Sequence, residues 1–316
     1  MTQKILVIKH GALGDILLAM GAFRAVRAHH ADAYVTCMCR RQFVDLCTSC
    51  GYFDEVVVEP MPKWYNPLEF LKISKFISGF DRVYDLQNND RTRIYFSMIP
   101  RHKRPEWNGA HQGVSLRYDP PERVTQNALQ LFQSQLAVAG ITGIEPDNLS
   151  WMKADTAHYE LPAKYALVIA GCSPKRPEKR WSPEYFADIC RFLDSKNIKP
   201  VLIGTEDEKN VLDIIHHRSP FAINLCGQTP LFDIPVLARD AVIAIGNDTG
   251  PVHMVALTGC PTVAIYQGEG DGWRRSAITG PNAHIMHATH ITDVTVDQVR
   301  DKMISVLPSM ASASLT

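Results

Sequence analysis

Nowhere in its 316 residues does this chain carry an uninterrupted apolar run of roughly 18 residues, so no membrane-spanning helix is expected. It lacks net charge as well: 33 Lys and Arg balance 33 Asp and Glu. That balance argues against a nucleic-acid partner, whose binders usually carry a strong basic excess. The opening MTQKILVIKHGALGD is interrupted at Lys4 and Lys9. It therefore lacks the apolar core of about 7–15 residues that a secretion signal needs, and a cytoplasmic location is expected. Two phosphate-binding signatures are missing too. HGALGD has neither the G-x-G-x-x-G spacing nor a Gly-Lys-Ser/Thr ending. No Asp-x-Asp pair occurs anywhere, which disfavours diphosphate binding through a carboxylate-held metal.

What is present reads as an α/β protein. The length suggests two domains, and 46% hydrophobic residues suffice for a real core. KILVIK is a short apolar run suited to a strand buried on both faces. Ile16 to His30 has the apolar spacing of an amphipathic helix. Strand and helix then alternate to about Ala139, implying a parallel sheet with right-handed crossovers. The Gly- and Pro-bearing stretch from Gly140 to Lys164 reads as a junction. A second alternation runs from the strand Tyr165 to Ala170 to the helix Val296 to Leu307. The expected domains are thus 1–150 and 151–308, with a disordered polar tail at 309–316. Ligands of such sheets bind at the carboxyl ends of strands, and the cleft between two of them is the default site.

Eight cysteines are present. Cys37 and Cys39 share one face of a strand, and Cys47 and Cys50 lie on the next helix. They read as small core residues, with no metal or disulfide site expected. Cys172, Cys190, Cys226 and Cys260 are read the same way.

Four polar segments could carry chemistry. In His10-Gly-Ala-Leu-Gly14-Asp15, between strand and helix, Asp15 is either a helix cap or a carboxylate able to take a proton from a hydroxyl. In Asn247-Asp248-Thr249-Gly250-Pro251, a buried strand ends at a glycine turn opening a helix. Its free N–H groups and the helix dipole suit a phosphate, unless the turn is merely capped. The loop Ser173 to Trp181 holds Lys175, Arg176, Lys179 and Arg180, able to neutralise a leaving diphosphate or simply solvated. Glu206 and Glu208 follow another strand, where a carboxylate could bind a ribose diol or form an acidic first helix turn. Arg91, Arg93, Arg101, Lys103 and Arg104 concentrate positive charge in the first half. They suggest an anionic acceptor or a solvated surface run.

Taken in order, these segments resemble glycosyltransferase family 9, the ADP-heptose:lipopolysaccharide heptosyltransferases. KILVIKHGALGDILLAMGAFRAVR is similar to that family's opening, and GNDTGPVHMVALTGCPTVAIY to its donor segment. KRWSPEYFADICRFL resembles its Lys-x-Trp-Pro segment, with Ser182-Pro183 after the tryptophan. YDLQNNDRTRIY resembles a strand and loop of its first domain. The resemblance implies a GT-B fold, two Rossmann-like domains facing a cleft, and inverting transfer; with no Asp-x-Asp pair, no metal or cofactor is expected. It implies Asp15 as general base and Lys179 on the donor phosphates. Asp248, Thr249 and Gly250 match the residues that hold the diphosphate sugar, His253 matches the motif's histidine and joins the donor candidates, and Glu206 or Glu208 would hold the ribose. The basic loop is longer than the family's, so Lys175 and Arg180 are also donor candidates, with Gly14 beside Asp15. His10 joins the acceptor candidates. The implied partners are a nucleotide-sugar donor and an anionic glycolipid or glycan acceptor, with peripheral contact at the inner membrane. A nucleotide-sugar epimerase and a non-catalytic nucleotide-sugar-binding protein are the alternatives.

Overall fold

A computed structural model describes residues 2–120, 126–173 and 176–307. Lys175 and the tail 309–316 lie outside the described residues. The chain divides into two compact units, Met1–Asp147 and Asn148–Thr316.

The first unit runs β1 (Lys4–Ile8), α1 (Leu13–His29), β2 (Tyr34–Cys39), α2 (Val44–Ser49), β3 (Glu55–Val58), α3 (Pro67–Ile77), β4 (Arg82–Asp85), α4 (Asp90–Met98), β5 (Glu106–Gly109), β6 (Leu116–Arg117) and α5 (Ala128–Ala137). Its six strands are all parallel, in the order β3-β2-β1-β4-β5-β6. Ile5 to Ile8 are fully buried, as expected of a strand covered on both faces. Leu6, Ile8, Val83, Tyr95, Phe96 and Trp107 form one core beside it.

The second unit runs β7 (Tyr165–Ile169), α6 (Pro183–Ser195), β8 (Lys199–Leu202), α7 (Lys209–Arg218), β9 (Ile223–Asn224), α8 (Asp233–Asp240), β10 (Ile243–Asn247), α9 (Gly250–Leu257), β11 (Thr262–Gln267), β12 (Ala283–Ala288) and α10 (Val296–Val306). Its order is β12-β11-β10-β7-β8-β9, again all parallel. Read from the other edge, this is the order of the first sheet, so both units are doubly wound in the same way.

That shared order places the functional candidates. The chain builds one side of each sheet, then returns to build the other. The reversal falls between β1 and β4 in the first unit and between β7 and β10 in the second. The two strands there are paired, but the connections leaving them run to opposite faces of the sheet, and it is outside the carboxyl ends at such a point that doubly wound sheets bind ligands.

Four elements go beyond the sequence reading. α4, β5, β6 and β12 were not expected. β4 stops at Asp85, because Asp85 Oδ1 accepts the N–H groups of Gln87 and Asn88 (3.1 and 2.9 Å) and turns the chain.

Candidate functional site

In the first unit, Asp15 is the third residue of α1 and its N-cap is Ala12. The simple capping alternative placed Asp15 as the cap itself. Instead its side chain folds back one turn, and Oδ2 accepts the Ala12 N–H at 2.8 Å. Asp15 is exposed, and Oδ1 has no hydrogen-bond partner among the described residues. One carboxylate thus supports the helix start with one oxygen and presents the other. Gly11 is needed for this. A Cβ there would lie 2.3 Å from Asp15 Cβ and 2.4 Å from Oδ2. The glycine admits the chain's own carboxylate, a role the sequence reading missed.

The loop containing Asp15 is tied across the reversal to the loop after β4. The His10 N–H donates to Gln87 Oε1 (2.9 Å), and Lys9 Nζ donates to the Leu86 carbonyl (3.0 Å). Lys9 is buried over the Phe132 ring, and burial pulls its pKa down against the pull of Asp15 and Asp85. His10 is 2% exposed with both ring nitrogens unpartnered. Burial lowers its pKa to about 4, Asp85 opposing and Lys9, Arg40 and Arg91 assisting. The imidazole is therefore neutral at pH 7 and can donate or accept. Beneath it, Asp85 is fully buried and pairs with His111 (3.0 Å), which also meets Thr92 Oγ1 (3.0 Å). These residues hold the loop against which His10 rests.

The basic acceptor candidates divide. Arg91 lies at the start of α4, its guanidinium over Trp64 and donating to the Pro62 carbonyl (2.6 Å). Arg93 is exposed and paired with Asp90 on the same helix. Arg101 and Lys103 follow the far end of α4, and Arg104 is spent on the Ile99 carbonyl and the Phe96 ring. Glu106, just beyond, bonds Asp81 at the start of β4. That stretch therefore sits at the amino edge of the sheet, away from Asp15 and Arg91. The five basic residues do not form one patch.

In the second unit the reversal is crossed by side chains of both loops. Asn247 is fully buried, accepting the Trp181 N–H (3.0 Å) and donating to the Ala170 carbonyl (2.7 Å). Trp181 is fully buried, with its indole N–H on the Val294 carbonyl. This fixes the basic loop, so that Lys179 Nζ bonds Asp248 Oδ2. His253 Nε2 lies 3.7 Å from Asp248 Oδ1, and Ser276 Oγ 3.5 Å from Oδ2. Burial disfavours the charged Asp248 carboxylate, but His253 and Lys179 outweigh it and hold its pKa below the ordinary range. Arg180, by contrast, holds the Cys172 carbonyl (2.9 Å). Of the two described candidates, Lys179 faces the turn and Arg180 supports the loop. The pinning role of Asn247 and the part of Ser276 were not expected from the sequence.

α9 begins at Gly250 with Thr249 as its N-cap, so Pro251 is the second helical residue and not the first. The Thr249 side chain makes no cap bond. The N–H groups of Thr249 and Gly250 have no partner among the described residues, as an anion site requires. Gly246 lets α9 approach: a Cβ there would sit 2.6 Å from both the Ile169 carbonyl and Val252 Cγ2. Glu208 accepts from the Thr205 N–H (2.8 Å) and hydroxyl (3.1 Å), and lies where a Cβ on Gly171 would be 1.8 Å from Oε1. Glu206 is exposed and lies against Gly227.

One group of ligand-type atoms among the described residues is close enough to share an ion: Cys37, Cys39 and Cys47, all fully buried, with sulfurs within 4.8 Å of one another. It is packed between β2 and α2.

Residues 75–290 match the sequence profile of Glycosyltransferase family 9 (heptosyltransferase). Lipooligosaccharide heptosyltransferase 2 of Haemophilus ducreyi is 30% identical over 291 residues, covering 84% of this chain and 83% of that protein. The glycosyl transferase family 9 structure from Veillonella parvula superposes with a TM-score of 0.75 at 18% identity, over 96% of this chain and 97% of that one. Escherichia coli heptosyltransferase WaaC, solved with ADP-2-deoxy-2-fluoro heptose, gives 0.70 at 16% identity over 96% and 99%. These two likenesses are of fold, which is GT-B.

Proposed function

The chain belongs to glycosyltransferase family 9, the heptosyltransferases, and on that premise we propose that it moves a heptose from ADP-heptose to a hydroxyl of a lipopolysaccharide-core acceptor, inverting the anomeric carbon and using no metal. The observation that carries the reading is Lys179 meeting Asp248 beside the open N–H groups of Thr249 and Gly250. A cation and a helix start converge there, as a departing diphosphate needs.

The acceptor oxygen bonds to the anomeric carbon as the bond from that carbon to the donor phosphate breaks. The acceptor proton goes to Asp15 Oδ1. The charge appearing on ADP meets Lys179, the Thr249 and Gly250 N–H groups and the dipole of α9. Asp248 is itself negative and would repel phosphate, so its part is to aim Lys179, with His253 on its other oxygen. One of Glu206 and Glu208 holds the ribose. His10, as a neutral donor and acceptor, and Arg91 serve the acceptor. The chain offers no Asp-x-Asp pair, and its own cation and dipole supply the positive field instead.

Thermal-shift screening against nucleotide sugars tests the donor. ADP-heptose should raise the melting temperature most, a ligand at 100 times its Kd adding about 2.7 kcal/mol. A larger shift with a uridine or guanosine sugar would displace the donor assignment.

Two further outcomes are expected. Gly250→Val keeps ordinary helical angles at the first position of α9, so the fold should persist. Its side chain would cover the phosphate N–H groups, and calorimetry should find ADP binding lost. Unchanged affinity would remove this turn from the donor site. Transfer should also proceed undiminished in excess EDTA. Activity abolished by chelation and restored by a divalent ion would overturn the metal-free mechanism.

A further inference from the structure

The solvent face of α3 is apolar where a monomer's surface would ordinarily be polar. Leu68 is 67% exposed, Leu71 47% and Phe76 42%, and Tyr65, just before the helix, 78%. Residues 68, 71, 72, 75 and 76 follow helical spacing, so they form one stripe. Lys72 and Lys75 lie within that stripe, both exposed, and neither makes an ion pair among the described residues. Lys63, also exposed, leans over Tyr65. A shallow groove of about 260 Å³ runs alongside, lined by Val57, Val58, Pro60, Lys72, Ile73 and Phe76. Aliphatic and aromatic side chains alternating with unpaired lysines are what a helix lying in the plane of an anionic bilayer needs. α3 also follows the loop at the carboxyl end of β3, on the same edge of the sheet as the Asp15 loop.

We propose that this face of α3, with Tyr65, seats the protein on a bilayer bearing anionic lipids. A second copy of the chain fits the face less well. Two-fold pairing would bring Lys72 and Lys75 of both copies together, and like charges repel. The proposal rests on the transferase reading only for its purpose, since a lipid-anchored acceptor would then be met at the membrane. Its test needs neither donor nor acceptor.

The full chain is sedimented with extruded vesicles of phosphatidylethanolamine and phosphatidylglycerol (3:1), and separately with pure phosphatidylcholine. Wild-type protein should bind the first at least about 10-fold more tightly, each lysine near an anionic surface contributing about 5-fold. Half-molar salt should weaken that binding, because it screens the lysines. Tyr65→Ser/Leu68→Ser/Leu71→Ser and, separately, Lys72→Glu/Lys75→Glu should each reduce it more than about 10-fold, with unchanged melting curves, since all five side chains are exposed. Both variants should transfer sugar to a delipidated, water-soluble acceptor as the wild type does, which separates this proposal from the reading of the reaction. Equal binding to both vesicles, or vesicle binding that survives both variants, would overturn the proposal. So would a wild-type dimer that the variants make monomeric without vesicle binding, which would make the face a self-interface.

Discussion

Asp15→Asn should lower turnover at saturating substrates by roughly 10²-fold or more, the scale of a lost general base. Melting should change little. The asparagine side-chain oxygen can still accept the Ala12 N–H that Asp15 Oδ2 accepts at 2.8 Å. What is lost is a negative charge in the first turn of α1, worth about 0.3–1 kcal/mol at an exposed site. ADP binding should persist, because the contacts proposed for it lie in the second unit. The measurement is the turnover number beside the melting curve. If the Asn variant is fully active and normally stable, Asp15 is a helix-start residue and another group takes the proton. Gly11→Ala gives a companion result. Its methyl group would collide with the Asp15 side chain, so turnover should fall although no ionisable group is changed.

Lys179→Met should lower the rate by about 10²–10³-fold, the cost of removing one donor that meets developing charge. The same change strands Asp248, whose side chain is 8% exposed, leaving His253 and the neutral Ser276 hydroxyl beside it. Stability should therefore fall as well, by less than the 3–5 kcal/mol typical of breaking a fully buried pair, since Lys179 is 21% exposed. The double variant Lys179→Met/Asp248→Asn separates the two roles. Removing the stranded charge should restore most of the melting temperature and none of the rate. Recovery of both would make Lys179 a structural partner of Asp248 and nothing more.

What could be read in advance followed burial and local order. β1 and β7 announce themselves because both faces are covered, leaving unbroken apolar runs. β5 (Glu-Trp-Asn-Gly), β6 (two residues) and β12 (Ala-His-Ile-Met-His-Ala) are short, polar or half-exposed strands toward the sheet edges. Their pairing is decided by neighbours far along the chain. α4 was missed although Asn89 and Thr92 form a capping box at its start, because few of its residues are apolar. The same helix explains the divided acceptor charges. Arg91 and Arg101 are ten residues apart, and nine helical residues at about 1.5 Å each carry the chain along the sheet from one edge to the other.

The candidate site was legible where its polar residues and glycines follow one another in the chain. Asp15, Lys179, Asp248, Thr249 and Gly250 stand in compact strand-to-helix turns whose chemistry shows in their order. Asn247, Gly11 and Ser276 act on the protein itself: an amide pinning two loops, a glycine admitting a carboxylate, a hydroxyl reaching Asp248 from a distant turn. The roles of Asn247 and Ser276 are set by tertiary contact and leave no local pattern, while that of Gly11 depends on how the Asp15 side chain folds back within one turn. Glu206 and Glu208 fall between, since their positions over Gly227 and Gly171 depend on strands brought together by the sheet.

Acceptor-dependent heptosyl transfer can be tested in a single incubation. The protein is supplied with ADP-heptose, with and without a heptose-deficient lipopolysaccharide core acceptor, and nucleotide and glycan products are followed by mass spectrometry. ADP release should depend on the acceptor and be matched by an acceptor gaining the mass of one heptose, with both lost in Asp15→Asn. An unchanged acceptor while ADP-heptose is isomerised or remains intact would contradict the transferase reading.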